Sequence, residues 1–389
     1  MQEKKSKNIL FISGITDDCC LTGEKEIIKE LISLGHNVTC YILEDLEKRL
    51  KQTGAKLKLV KMEKIDMKNL PPLMAKKIIF TITMSKSYME IINDGLKSQE
   101  KYDFLIVNPL YDGVELNKIF KADDVISLYT NPIGEKSPFI EITSQKRMES
   151  FVPINNKYNI NIRDYLSLPF IHDAKYKLML TSKLFQPESL LSDNSFYFIG
   201  PYSEEETPVD ESFNFKKDEN KKLINISLSR LFSQNIDFFK LCVQALGNSK
   251  DYQIIVNVGK NIDIKSLGDL PDNFSVFNNV PQNKILPLTD IVMIHSGIES
   301  INEVLYYNPK LPLILIKQEM SEYDYSKIIK KCGAGIVLND KRLTPEKLNE
   351  AINNYIKEKD KFQKGVDTIL ESYKEAKLQR KEILEKIFG

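Results

Sequence analysis

The chain has 389 residues, more than one hydrophobic core organises well, and 42% are apolar against 28% charged, which fits two globular domains and excludes a disordered chain. Lys plus Arg number 55 against 54 Asp plus Glu, so no net field selects nucleic acid or an acidic membrane surface. Five cysteines without CxxC spacing and only three histidines argue against a zinc site, and the cysteines read as small buried hydrophobes.

The N-terminal "MQEKKSKNILFI" is basic but its apolar run is too short for a signal-peptide core, and no later stretch is long enough to span a bilayer, so a cytoplasmic protein is expected. "NILFI" is an apolar strand, and "TGEKEIIKELISLG" follows with Ile27, Ile28, Leu31 and Ile32 at helical spacing and Gly35 at the C-terminal cap. "NVTCYIL" resumes an extended pattern, a helix over 44–53 ends at Gly54, and "KLKLV" alternates. Residues 74–98 form a long amphipathic pattern. "YDFLIVNP" and "DVISLYTNP" are two more buried strands, and 136–175 is irregular and aromatic-rich. The long helix and the irregular stretch either wall a pocket or thicken the core.

From Gly200 the stretch "GPYSEEETPVDESFNFKKDENKK" is acidic and nearly free of aliphatics, which marks a linker. A second strand series begins at "LINISLS" and runs through "YQIIVNVG", "NFSVFNNV", "DIVMIHSG", "LPLILIK" and "GAGIVL". Thr344-Pro345-Glu346 starts a helix with Thr as N-cap, and two charged amphipathic helices finish the chain. Strands alternating with helices mean parallel sheets with right-handed crossovers. The fold class is therefore α/β. Residues 1–200 make the first domain, 201–221 the linker and 222–370 the second domain, while 371–389 is a terminal helix able to pack back on the first.

The segment 277–304, "FNNVPQNKILPLTDIVMIHSGIESINEV", carries the most chemistry. A strand ends at His295, a Ser-Gly turn follows, and a helix is expected from near Ser300. Unpaired amides and the positive end of the helix dipole suit a diphosphate there, although an ordinary turn with a buried His has the same spacing.

Here the sequence resembles the family 1 glycosyltransferases of the GT-B fold, above all the bacterial macrolide glycosyltransferases. The likeness runs through "ELISLGHNVTCYILEDLEKRLKQTGAKL", "YKLMLTSKLFQPESLLSDNSFYFIGP", "YQIIVNVGKNIDIKSLGDLPDNFSVFNNVPQ" and "KKCGAGIVL…LTPEKLNEAI". It implies two Rossmann-like domains facing a cleft, with the acceptor on the first and a nucleotide sugar on the second. It also implies transfer of a hexose, with inversion, from a UDP- or dTDP-linked donor to a hydroxyl of a small hydrophobic acceptor. The donor is a co-substrate; no resident cofactor or metal is implied. Val280 and Gln282 match the family's "V-P-Q", His295, Gly297 and Ser300 its diphosphate-binding "H-G-G-x-N-S", and Glu303 the acid that holds the ribose.

The departures are as informative. The base-stacking aromatic is Asn279 here. The family's "S-L-G-T" loop is Ser227-Leu228-Ser229-Arg230, which puts Ser229 and Arg230 at the phosphates, and the sugar-binding "Asp-Gln" falls on Ser321 and Glu322. Glu299 replaces an Asn, and a carboxylate about 4 Å from a phosphate oxygen costs roughly 4 kcal/mol at an effective dielectric near 20. Arg230 is the residue in view to pair with it.

The loop after the first strand carries the family's catalytic His, which an Asp beyond a later strand orients. Its position falls on Asp17 or Asp18 and the partner's on Asn108. Glycopeptide-modifying relatives use an Asp there as the base, which makes Asp18 or Asp17 the expected base, with Asp112 as an assistant; a plain helix cap is the competing role. Cys19 and Cys20 have no His near in sequence to activate them. Two readings stay open: a working transferase, which the retention of Gln282, His295, Ser300 and Glu303 favours, and a catalytically silent relative that supports another glycosyltransferase. A homodimer and a hetero-complex both stay open as assemblies.

Overall fold

A computed structural model describes residues 5–14, 18–61, 72–133, 149–163, 173–202, 213–228, 235–259, 262–317 and 325–389, with the side chains of 18–20 and 72–82 also outside the description. The chain divides into two compact units. One is Met1–Tyr202 with Glu375–Gly389, and the other is Ser203–Lys374.

In the first unit β1 (Asn8–Ile12) leads to helix α1 (Asp18–Ser33), β2 (Asn37–Leu43), β3 (Lys56–Val60), helix α2 (Pro72–Lys97), β4 (Phe104–Val107), helix α3 (Gly113–Phe120), β5 (Asp124–Tyr129), β6 (Tyr176–Met179) and β7 (Phe196–Phe198). The sheet is parallel with the order β3-β2-β1-β4-β5-β6-β7. Its strands are apolar on both faces because helices cover both. On one face Ile9, Phe11, Ile27, Ile28, Leu31 and Ile106 pack together; on the other Leu10, Ile12, Tyr88, Leu105 and Phe151 do. The turn after α1 closes at Gly35 with φ +92°, a left-handed conformation that favours glycine. β6 and β7 are not among the strands expected from the sequence. Within the stretch expected to be irregular, Val152–Tyr158 forms a helix with Pro in its first turn.

The second unit contains β8 (Lys222–Ser227), helix α4 (Ile236–Leu246), β9 (Tyr252–Asn257), β10 (Phe274–Phe277), β11 (Ile291–His295), helix α5 (Ile298–Tyr307), β12 (Leu313–Lys317), helix α6 (Tyr325–Cys332), β13 (Gly335–Asn339) and helix α7 (Pro345–Lys357). Its sheet is also parallel, in the order β10-β9-β8-β11-β12-β13. The Thr344 side chain accepts from the Lys347 amide at the start of α7. The last part of the acidic linker is not inert: Phe213 and Phe215 pack beside Leu223, Ile255 and Val280.

Helix α8 (Lys359–Phe388) closes the chain. Its end lies on the first unit, where Leu384, Ile387 and Phe388 join the α1-side core. Arg380 donates to the carbonyls of Ile199 (2.7 Å), Gly200 (3.4 Å) and Pro201 (3.2 Å) and lies 3.8 Å over the Tyr202 ring.

Each sheet reverses its direction of growth at one place, between β1 and β4 in the first unit and between β8 and β11 in the second. Ligands of open parallel sheets bind outside the carboxyl ends of the strands at such reversals. The fold thus selects Ser13, Gly14 and Asn108 in one unit and Ser227 and His295 in the other.

Candidate active site

In the second unit β11 runs beside β8 with Ile294 opposite Ser227, and His295 is its last residue. Ser296 follows, buried, and Gly297 is the N-cap of α5. The helix begins at Ile298, two residues before the start expected at Ser300, so Ser300 belongs to the first turn. As a glycine, the N-cap residue supplies no side-chain cap to α5, and the first amides of a helix have no partner within it. The imidazole folds back over this turn. Its Nδ1 lies 3.5 Å from the Ser300 hydroxyl, and a Cβ added at Gly297 would stand 2.3 Å from its Nε2. The family-type glycine is required here because the ring takes the space of a side chain.

Burial lowers the His295 pKa to about 4. The residue is therefore neutral near pH 7 and offers one N–H, not a positive charge, to an anion. The neighbouring strand ends are mixed: β12, paired with β11, ends in Lys317, while β8 and β9 end in the uncharged Ser227 and Asn257. Asn257 Nδ2 reaches the Ser227 hydroxyl (3.5 Å), and Asn278 Nδ2 donates to the carbonyls of Gly259 and Ile262, both at 2.8 Å. Asn279, in place of the stacking aromatic, is exposed.

Val280 is buried in the small cluster with Leu223, Ile255 and Ile285. The Gln282 side chain turns inward, its carbonyl oxygen accepting from Asn225 Nδ2 at 2.8 Å. Gln282 Nε2 and Asn225 Oδ1 are buried without a protein partner. Glu299 and Glu303 stand one turn apart on α5. Ser229, Arg230, Ser321 and Glu322 lie outside the described residues, as does the suggested Arg230–Glu299 pair.

In the first unit Asp17 lies outside the described residues. Asp18 opens α1, and its side chain and those of Cys19 and Cys20 are likewise outside. Asp112 is not placed to take a proton. It caps α3 by accepting from the Glu115 amide (3.2 Å), and Arg163 donates to it from Nε and Nη2, both at 2.7 Å, and from its amide at 3.1 Å. Its carboxylate is wholly buried and fully engaged, which corrects its expected role as an assistant base.

The sequence analysis passed over Glu24. This side chain, 0% exposed, sits at the reversal between β1 and β4. It accepts from the Ser13 hydroxyl, from the Gly14 amide at 3.2 Å and from Asn108 Nδ2 at 2.7 Å. Burial raises its pKa, and those three hydrogen bonds only partly oppose the shift. The signal was available: Glu24 lies three and four residues before Ile27 and Ile28, on the apolar stripe of α1, where an ionisable group needs partners.

Comparison with known proteins agrees with this geometry. Residues 228–382 match the model of the glycosyltransferase family 28 C-terminal domain. The chain is 25% identical to the NDP-glycosyltransferase YjiC of Bacillus licheniformis over 339 residues, 83% of each protein. It is 26% identical to the oleandomycin glycosyltransferase of Streptomyces antibioticus over 44% of this chain and 40% of that one. Among solved structures, the glycotransferase of kitacinnamycin superposes with a TM-score of 0.75 at 19% identity, covering 98% of this chain and 99% of that one. The chain has the fold of these glycosyltransferases and is similar along most of its length to NDP-glycosyltransferases and over part of it to macrolide glycosyltransferases.

Proposed function

We propose that this protein moves a hexose from a UDP- or dTDP-linked donor to a hydroxyl of a small hydrophobic natural-product acceptor, with inversion, in the cytoplasm. The observation that carries the reading is the turn His295–Ser300, set at the reversal of the second sheet with a glycine as the N-cap of α5, which supplies no side-chain cap to its amides. Those amides and the neutral His295 N–H are fixed dipoles, which stabilise a departing diphosphate without reorganising. Gln282, Glu303, Ser229, Arg230 and Glu322 would complete the donor contacts. The acceptor proton goes to Asp18 or Asp17, a step typically contributing about 10²–10⁴-fold.

Thermal denaturation with UDP, dTDP and GDP tests the reading. A nucleotide at 100 times its dissociation constant adds about 2.7 kcal/mol to stability. A shift with UDP or dTDP is expected. Silence with all three would favour the alternative of a partner subunit for another glycosyltransferase, which the inward-turned Gln282 also suits.

A further inference from the structure

We propose that Glu24 is the positioning residue of the acceptor side, holding the chain that follows β1 to the chain that follows β4. The inference rests on the transferase reading for its catalytic consequence, but the link itself stands on the geometry.

One carboxylate, carried on α1, gathers donors from two places: the end of β1 through Ser13 and Gly14, and the end of β4 through Asn108. These are the strands between which the first sheet reverses, so the junction lies where an open parallel sheet presents its ligand site. Asn108 is itself fixed, its amide donating to the Ile12 carbonyl at 3.0 Å and its Oδ1 accepting from the Leu110 amide at 3.1 Å. The helix can come this close because residue 23 is glycine; a Cβ there would stand 2.4 Å from Leu180 Cδ1. Gly14 has the same need, since a Cβ on it would meet Asn108 Nδ2 at 2.9 Å.

Residues 15–17 connect Gly14 to α1, and Glu24 bonds the two flanks of that connection to each other. A base delivered from this link must be placed to within a fraction of an ångström, and a misplacement of about 1 Å can cost on the order of 10²-fold. Glu24, at 0% exposure, does not meet substrate. It acts through the loop it holds. A carboxylate suits the task because it is acceptor-only and takes all three donors at once. Glutamine would turn an N–H₂ toward one of them.

The test uses the full chain with UDP-glucose as donor and 4-methylumbelliferone as acceptor. Glu24→Gln should lower kcat about tenfold or more while leaving KM for UDP-glucose within about twofold. It should also speed amide hydrogen exchange at residues 13–14 and 108–110 together, with exchange in 291–307 unchanged. Asn108→Ala should give a similar loss, and the double variant little more than either alone. Ser13→Ala, a milder change, should show the same pattern to a lesser degree should Glu24→Gln fold poorly. Parental kcat in Glu24→Gln, additive losses in the double variant, or a rise in donor KM with kcat unchanged would overturn the proposal. If the parent transfers no sugar between this pair, the exchange experiment decides alone: coupled exchange at the two strand ends supports the link, and uncoupled exchange overturns it, while the transferase reading is judged by the nucleotide shifts.

Discussion

The neutral state of His295 can be tested through stability. Burial moves its pKa from 6.5 to about 4. The folded state therefore favours the neutral ring, and between those values the unfolded chain binds more protons. Stability from this group is fully present above pH 6.5 and is lost as pH falls through the folded pKa. At about 1.36 kcal/mol per unit, the loss approaches roughly 3 kcal/mol by pH 4. His295→Gln removes the titration. Native-state hydrogen exchange of β11, followed in a urea series at pH 7, 6, 5 and 4.5, reads the local unfolding free energy of both proteins. The gap between parent and variant should close, or turn in the variant's favour, by roughly 2 kcal/mol between pH 7 and 5, as the parent destabilises. A gap constant over this range would give the ring an ordinary pKa and refute the burial argument.

Gly297→Ala puts a methyl 2.3 Å from His295 Nε2 and must displace the ring; we expect a loss of about 1–3 kcal/mol and a weakened UDP affinity, and calorimetry giving the parental affinity would show the ring's placement to be dispensable. Asp112→Asn removes the buried partner of Arg163, which keeps Asp173 and is partly exposed, and should cost about 1–3 kcal/mol by urea unfolding of the first unit, with KM for the donor unchanged; a kcat loss at full stability would return Asp112 to the chemistry. Asn225→Val should destabilise by stranding Gln282, whereas Asn225→Val with Gln282→Leu should recover the loss, since replacing both partners removes the unmade bonds. A double variant less stable than the single one by thermal denaturation would refute that accounting.

Much of the fold was legible because the strands are continuous apolar runs and the helices carry 3.6-residue stripes. "NILFI", "NVTCYIL", "LPLILIK" and the Thr344 cap all fall where the pattern puts them. β6 and β7 escaped: they are no longer than β4, and β6 lacks the unbroken apolar run that made β4 visible, since Lys177 interrupts it. Phe213 and Phe215 escaped because two aromatics in an acidic stretch look like linker until a sheet face is available to receive them. At the site, spacing found the turn at His295 but not the state of its ring, which depends on burial by residues distant in the chain. Asp112 failed for a related reason. A carboxylate after a strand looks the same whether it faces substrate or caps a helix, and the difference lies in Arg163, 51 residues on. Glu24 was masked by its type, since charged residues on helices usually face water.

The two-residue shift in the start of α5 changes the weight of Glu299. With Gly297 as N-cap, Glu299 and Ser300 both lie in the first turn, about 100° apart around the axis. His295 marks the Ser300 side, because its Nδ1 lies 3.5 Å from that hydroxyl. A diphosphate held by the imidazole N–H and the first amides would therefore sit on the side that Glu299 turns from. The repulsion of roughly 4 kcal/mol assumed a separation of about 4 Å; at about 8 Å the same dielectric halves it. A helix N-terminus contributes at most about 2 kcal/mol in a partly buried setting. The two terms are then of equal size and opposite sign. A neutral His295 adds no charge to tip the balance, so a diphosphate bound at this turn would depend on hydrogen-bond geometry as well as on the opposed fields of α5 and Glu299.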